Sequence, residues 1–145
     1  LFNFGWAKPV PVNPRYFKNP RSDIILMSLS GPLANFAAAF LAGLFIRYFF
    51  VPWDVYQKLL VYTLIMNLGL GIFNLFPIPP LDGAHVLENL LPPRAADRFR
   101  RAARYGPVLL LMVVMLDNFA QTGILSFLIT GPLLRLAHWF SGLPF

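Results

Sequence analysis

The chain has 145 residues, of which 57% are apolar and only 12% charged, with a mean hydropathy of +0.62. That is about half the charge of an ordinary soluble domain, so the composition excludes that class and points to one integral membrane domain. The absence of cysteine excludes disulfide frameworks, thiolate metal sites and cysteine nucleophiles within the chain. The net charge of +6 does not signal nucleic acid, because the basic residues flank apolar runs as membrane topology requires; the partner it implies is the lipid bilayer.

Residues 1–22 are polar and proline-rich, and Pro9, Pro11, Pro14 and Pro20 forbid a regular helix there. Val10 and Val12 alternate with prolines, which suits an edge strand or hairpin arm as well as a plain juxtamembrane loop. Nothing here has the pattern of a signal peptide, and the chain starts at Leu1 without an initiator Met, so a fragment of a longer protein is expected.

Residues 24–46 form an uncharged run of 23 residues, long enough as a helix to cross a hydrocarbon core of about 30 Å. Ser28, Gly31, Ala34, Ala38 and Ala42 recur at spacings of three or four, predicting a low-bulk face for a neighbouring helix. Asn35, inside this run, reads most simply as an interhelical hydrogen-bonding group. A connector follows with Tyr48, Trp53 and Tyr56, residues suited to a membrane–water interface.

Residues 59–81 form a second uncharged run of 23 residues. Its transmembrane helix is expected over 59–76, because Pro77, Pro79 and Pro80 must end it. Residues 77–82 then form a proline-broken loop, residues 83–104 a cytoplasmic helical segment, and residues 105–140 hydrophobic helices. Asp117 interrupts the last stretch, leaving open one tilted span or a shorter span followed by an interfacial helix.

The charges set the topology. Lys8, Arg15, Lys18 and Arg21 precede the first span, and five arginines between Arg94 and Arg104 follow the second. Two crossings return the chain to its starting side, which the positive-inside rule makes cytoplasmic. The expected fold is thus an all-α polytopic membrane protein with two to four transmembrane or re-entrant helices and a short N-terminal membrane-associated β-hairpin.

The stretch "FNLFPIPPLDGAH" places a helix break and a carboxylate at the end of a membrane-grade segment. Broken backbone in lipid leaves polar groups costing several kcal/mol each, and is tolerated only where protein or water covers it. An unpaired carboxylate there costs about 2.5–3.5 kcal/mol or more. The coincidence suggests a polar pocket with a cation near Asp82; alternatively, Asp82 is the N-cap of the helix that begins "GAHVLENLL". His85 and Glu88, three apart, read as an interfacial hydrogen bond or an ion pair with the arginines. The prolines hold the approach to Asp82 extended and stiff.

Asn74, Pro77, Pro79, Leu81, Asp82 and Gly83 stand as N-x-x-P-x-P-x-L-D-G. Together with the upstream "GWAKPVPVNP" and "SLSGPLANF", this resembles the site-2 proteases, zinc metalloproteases that cut substrates inside the membrane. The resemblance covers roughly Gly5 to Leu91 and is nearest the compact prokaryotic branch without a PDZ domain. It implies an intramembrane metalloendopeptidase acting on transmembrane protein substrates, one Zn2+ with Asp82 as its third protein ligand, and Asn74 as a catalytic donor to the substrate carbonyl or its oxyanion. It further implies substrate binding by Lys8, Pro9, Val10, Pro11 and Val12 as an added strand and by Asn35, and motif-shaping roles for Pro77, Pro79 and Gly83. The family's other two zinc ligands belong to an H-E-x-x-H helix. The chain has only His85, in "HVLEN", and His138, in "HWFSG", so that helix is expected upstream and the 145 residues alone are expected to be inactive. The rival readings are an inactive pseudoprotease that binds membrane proteins and a small ion-coupled transporter subunit; the upstream sequence distinguishes the first, and inverted repeats would mark the second.

Overall fold

A computed structural model describes residues 19–49, 54–123 and 125–144, and every regular element among them is helical. Among the described residues two helices are long and apolar enough to cross a membrane, or up to three if one bent pair counts as a single span. The expected β-hairpin falls mainly on residues 1–18, outside the described residues, as do Lys8, Pro9, Val10, Pro11 and Val12. The described end of that segment is already helical: helix α1 runs Pro20–Tyr48, starting before residue 24. Pro20 can open it because the first helical position has no intrahelical use for an N–H.

Helix α2 spans Asp54–Asn74, so it begins five residues before residue 59 and stops two short of residue 76. The early start has a local cause. Lys58 Nζ lies 2.6 Å from Asp54 Oδ2, an i,i+4 pair that carries the helix beyond its apolar run. Phe36 packs against Gly71, while Ile46, ten residues on, lines one small cavity with Leu60 and Val61. Helices α1 and α2 are therefore antiparallel.

The core is small. Ala39 and Ala42 of α1, Leu64 and Leu68 of α2, and Leu133 and Ala137 farther along form one buried cluster. The buried face of α1 is Ser28, Pro32, Ala39, Ala42 and Gly43. This differs from the expected stripe, since Gly31 and Ala34 are exposed. Pro32 is fully buried within the helix, and its ring replaces an N–H that would otherwise bond the Ser28 carbonyl.

The helical segment after the break consists of two helices. Helix α3 is Asp82–Leu90 and α4 is Pro93–Ala103. Glu88 of α3 accepts a 2.8 Å bond from Arg100 Nε of α4, the carboxylate–arginine pairing expected for Glu88. His85 is exposed. Helix α5, Gly106–Ala120, passes straight through Asp117, so that residue does not interrupt it. The chain turns instead at Gln121, in the left-handed region at φ 49°, and Asp117 Oδ1 accepts a 2.6 Å bond from the Thr122 hydroxyl beyond the turn. At 15 residues, α5 spans about 22 Å, less than a hydrocarbon core. A π-helical turn, Ser126–Thr130, leads into α6, Gly131–Ser141. Helix α6 packs back on α1 and α2: Phe140 lies edge-to-face on Phe40 at 5.2 Å, and a Cβ on Gly43 would stand 2.7 Å from Phe140 Cβ.

Candidate functional site

The site forms where α2 ends and α3 begins. Asn74 is the last residue of α2 and Asp82 the first of α3, with the break between them at residues 75–81. Four turn bonds satisfy part of its backbone: Leu75 N to Ile72 O, Phe76 N to Phe73 O, Leu81 N to Ile78 O, and Ala84 N to Leu81 O, all 3.0–3.1 Å. Such internal pairing is what lets an irregular segment persist beside an apolar one.

Two glycines clamp this break. A Cβ on Gly83 would fall onto the Leu75 carbonyl group and 2.6 Å from the Phe76 carbonyl oxygen. A Cβ on Gly106, at the start of α5, would fall onto Pro79, 2.5 Å from its Cβ. Pro79 is half-buried in this contact, whereas Pro77 is exposed. The break is thus folded back on α3 and seated against α5. Gly83→Ala would press a methyl group into main-chain atoms that have no rotamer to change. Overpacking usually costs 1–3 kcal/mol, and this contact belongs at about 3 kcal/mol. A drop of roughly 10 °C in the thermal midpoint of helix loss in detergent is the expected result; an unchanged midpoint would show that the break yields.

Asp82 faces α1. A Cβ on Gly31 would stand 3.2 Å from Asp82 Oδ2, so the bare Gly31 backbone lets the carboxylate lie close against the helix. Gly31 comes seven residues after Ile24, which puts it about 10 Å along the uncharged run at 1.5 Å per residue. The capping alternative does not hold: the N-cap of α3 is Leu81, and no side-chain cap bond is made. Among the described residues Asp82 is half-buried and has neither a hydrogen-bond nor an ion-pair partner. Asn74 is likewise half-buried, with its carboxamide unengaged among the described residues. Asn35 is half-buried too, and the interhelical hydrogen bond expected of it is not made there.

A lone carboxylate of this kind fits one ligand of a cation and no more. Among the described residues no group of three or more His, Cys, Asp or Glu is placed to hold a metal ion. Farther along α3, Glu88 pairs with Arg100, and the hydrogen bond and then the charge of Glu88 raise the Arg100 pKa above its ordinary value. Two contributions escaped the sequence reading. Gly31 against Asp82 joins residues 51 apart with no motif between them, and Gly106 against Pro79 likewise has no local signal.

Two helices long and apolar enough to cross a membrane, with a half-buried carboxylate at a proline break that is unpaired among the described residues, suit a membrane protein with a polar site. Comparison with known proteins makes the class specific. Residues 51–114 match the family model described as Peptidase family M50. The chain is 36% identical over 119 residues to "Putative zinc metalloprotease YwhC" of Bacillus subtilis (strain 168), covering 76% of this chain and 54% of that protein. It is 34% identical over 102 residues to "Protease RseP" of Yersinia pestis, covering 67% of this chain and 21% of that protein. It is 33% identical over 75 residues to "Zinc metalloprotease MJ0392" of Methanocaldococcus jannaschii, covering 51% of this chain and 22% of that protein. No solved structure matches significantly. Residues 51–114 carry the match to peptidase family M50, the site-2 protease family, and the likeness to YwhC extends over 76% of the chain. It spans about half the length of YwhC and about a fifth of the other two.

Proposed function

We propose that this chain supplies the aspartate ligand and a carbonyl-binding donor of an intramembrane zinc metalloendopeptidase that cleaves transmembrane segments of other proteins. The observation that carries this is the Asp82 carboxylate, unpartnered among the described residues and facing Gly31 about 10 Å inside an uncharged run. An unpaired charge at such depth is expensive, and its ordinary justification is function. Asp82 holds the metal together with two histidines that these 145 residues do not contain in an H-E-x-x-H pattern. Zinc at such a centre polarises a carbonyl and lowers the pKa of bound water to about 7. Asn74, across the break from Asp82, donates its Nδ2–H to the oxygen of the scissile carbonyl. The clamp of Gly83 and Gly106 on the break holds these two side chains in place.

The chain alone, purified in detergent with added zinc, should leave a transmembrane substrate intact. The same chain preceded by an H-E-x-x-H helix in one polypeptide should cleave it in a chelator-sensitive way. Zinc-dependent cleavage by the 145 residues alone would overturn this division of ligands.

The proposed setting is a prokaryotic cell membrane, crossed more than once, with the Lys8–Arg21 and Arg94–Arg104 segments on the cytoplasmic side. The cysteine-free sequence gives a direct check. His85 and Val55 are both exposed, near opposite ends of the α1–α2 pair. A cysteine at His85 should react with a membrane-impermeant thiol reagent from the cytoplasmic side, and one at Val55 from the other side. The reversed pattern would place the site's water access on the wrong face.

A further inference from the structure

The α4 helix carries a charge pattern that the proteolytic reading does not use. Ala95, Ala96, Phe99 and Ala103 form its buried to half-buried stripe. Arg94, Arg98, Arg101 and Arg104, at steps of four, three and three, lie exposed on the other side. Both nearby carboxylates are engaged elsewhere: Glu88 bonds Arg100 at 2.8 Å, and Asp97 lies 3.6 Å from the same guanidinium. The four remaining arginines have no carboxylate partner among the described residues. From Arg94 to Arg104 the net charge is +4, from five arginines and Asp97.

What lies beside this stripe identifies its partner. Arg104 stands over the Tyr105 ring at 5.6 Å, and Gly106 then opens α5. Helices α4 and α5 meet at a 65° bend. Beyond the bend, Val108, Leu111, Met112, Met115, Leu116 and Phe119 are large, apolar and exposed. Within three residues the chain passes from an arginine face to an apolar face and changes direction. An aromatic ring marks the changeover, as at a membrane–water boundary. With α5 in hydrocarbon, α4 lies along the headgroup layer with its guanidinium groups at phosphate level.

We propose that Arg94, Arg98, Arg101 and Arg104 form a docking stripe for the phosphates of anionic phospholipid headgroups, which fixes α4 in the interface. Guanidinium groups suit this role because their planar forks pair with phosphate oxygens two at a time. The Glu88–Arg100 bond carries the consequence to the site: it ties α4 to α3, whose first residue is Asp82, so the depth taken by α4 sets the depth of that carboxylate. The proposal rests on the membrane reading of the chain, and the test separates the two.

The protein is labelled with a fluorophore at Ala102→Cys, exposed on α4, or at Met112→Cys, exposed on α5, and placed in vesicles of phosphatidylcholine with phosphatidylglycerol. Brominated chains are carried by one lipid or the other at equal mole fraction. The Met112 label should be quenched by both lipids alike. The Ala102 label should be quenched preferentially by brominated phosphatidylglycerol, with about fivefold local enrichment for each arginine engaged. The preference should vanish at about 1 M salt, where the screening length is near 3 Å, and in the fourfold Arg→Gln variant. Arg98→Gln and Arg101→Gln singly should each reduce it, which covers the case where the fourfold variant does not fold. Equal quenching of the Ala102 label by the two lipids, or a preference that survives the arginine substitutions, overturns the proposal while a quenched Met112 label leaves the membrane reading standing. Absence of quenching at both labels overturns both. A response of the Ala102 label to an added acidic peptide or polynucleotide, with none to phosphatidylglycerol, assigns the stripe to another partner and also overturns it.

Discussion

Asp82→Asn, made in a protein that carries the H-E-x-x-H helix as well as this chain, is expected to abolish proteolysis while leaving the helices folded. Asparagine keeps the shape of the side chain and caps helices about as well as aspartate. Capping is in any case not at stake, since Leu81 is the N-cap of α3 and Asp82 makes no cap bond. What the substitution removes is the negative charge facing Gly31. Loss of a group that merely orients a metal ligand already costs 10–100-fold in metal affinity or activity, so loss of a ligand itself should exceed about a hundredfold. Cleavage of a labelled transmembrane substrate is the readout, with helical circular dichroism as the folding control. Normal cleavage by the Asn variant would reduce Asp82 to a structural residue.

Asn74→Ala should have a different signature. The side chain is half-buried at the last turn of α2, and its carboxamide bonds to nothing among the described residues, so its removal deletes no internal hydrogen bond there. If it donates to the carbonyl oxygen as negative charge develops, turnover should fall by about a hundred- to a thousandfold, the usual effect of deleting one such donor. Zinc content and thermal midpoint should stay at the parent values. A fall in zinc content would make Asn74 part of the metal site, and a fall in stability would make it a packing residue. The contrast with Asp82→Asn, where rate and metal are lost together, separates the two roles.

The sequence was most legible where the physics is local. The two long apolar runs, the helix break forced by Pro77, Pro79 and Pro80, and the pairing of Glu88 with the arginine cluster all follow from composition and short spacings. Boundaries were less legible because polar residues extend helices past the apolar run. Asp54 and Lys58 pair across one turn of α2, and Asp23 Oδ2 accepts a bond from Asn19 N at the start of α1. Asp117 left two readings open in the sequence, a polar residue inside one span or a break between a span and an interfacial helix; it lies inside α5, and its carboxylate accepts a bond from Thr122 beyond the helix end.

The site was legible as a motif but not as an arrangement. The spacing from Asn74 to Gly83 marked the candidate residues and the break, and the break is observed at residues 75–81. It gave no hint that Gly31 would face Asp82 or that Gly106 would seat Pro79, because these contacts depend on how α1 and α5 pack. The small residues of α1 illustrate the limit. Spacing alone grouped Gly31 with Ser28 and Ala42, yet Ser28 and Ala42 are buried while Gly31 stays exposed beside the carboxylate. A glycine that leaves room for a functional group and a glycine that leaves room for a helix carry the same signature in sequence.

Zinc content per chain, measured after chelator-free purification of a protein carrying both the H-E-x-x-H helix and these 145 residues, tests the central claim most directly. The parent should hold one zinc per chain, and Asp82→Asn should retain only a small fraction of it under the same conditions, with its helices intact. Equal zinc content in the two proteins would contradict the assignment of Asp82 as a metal ligand.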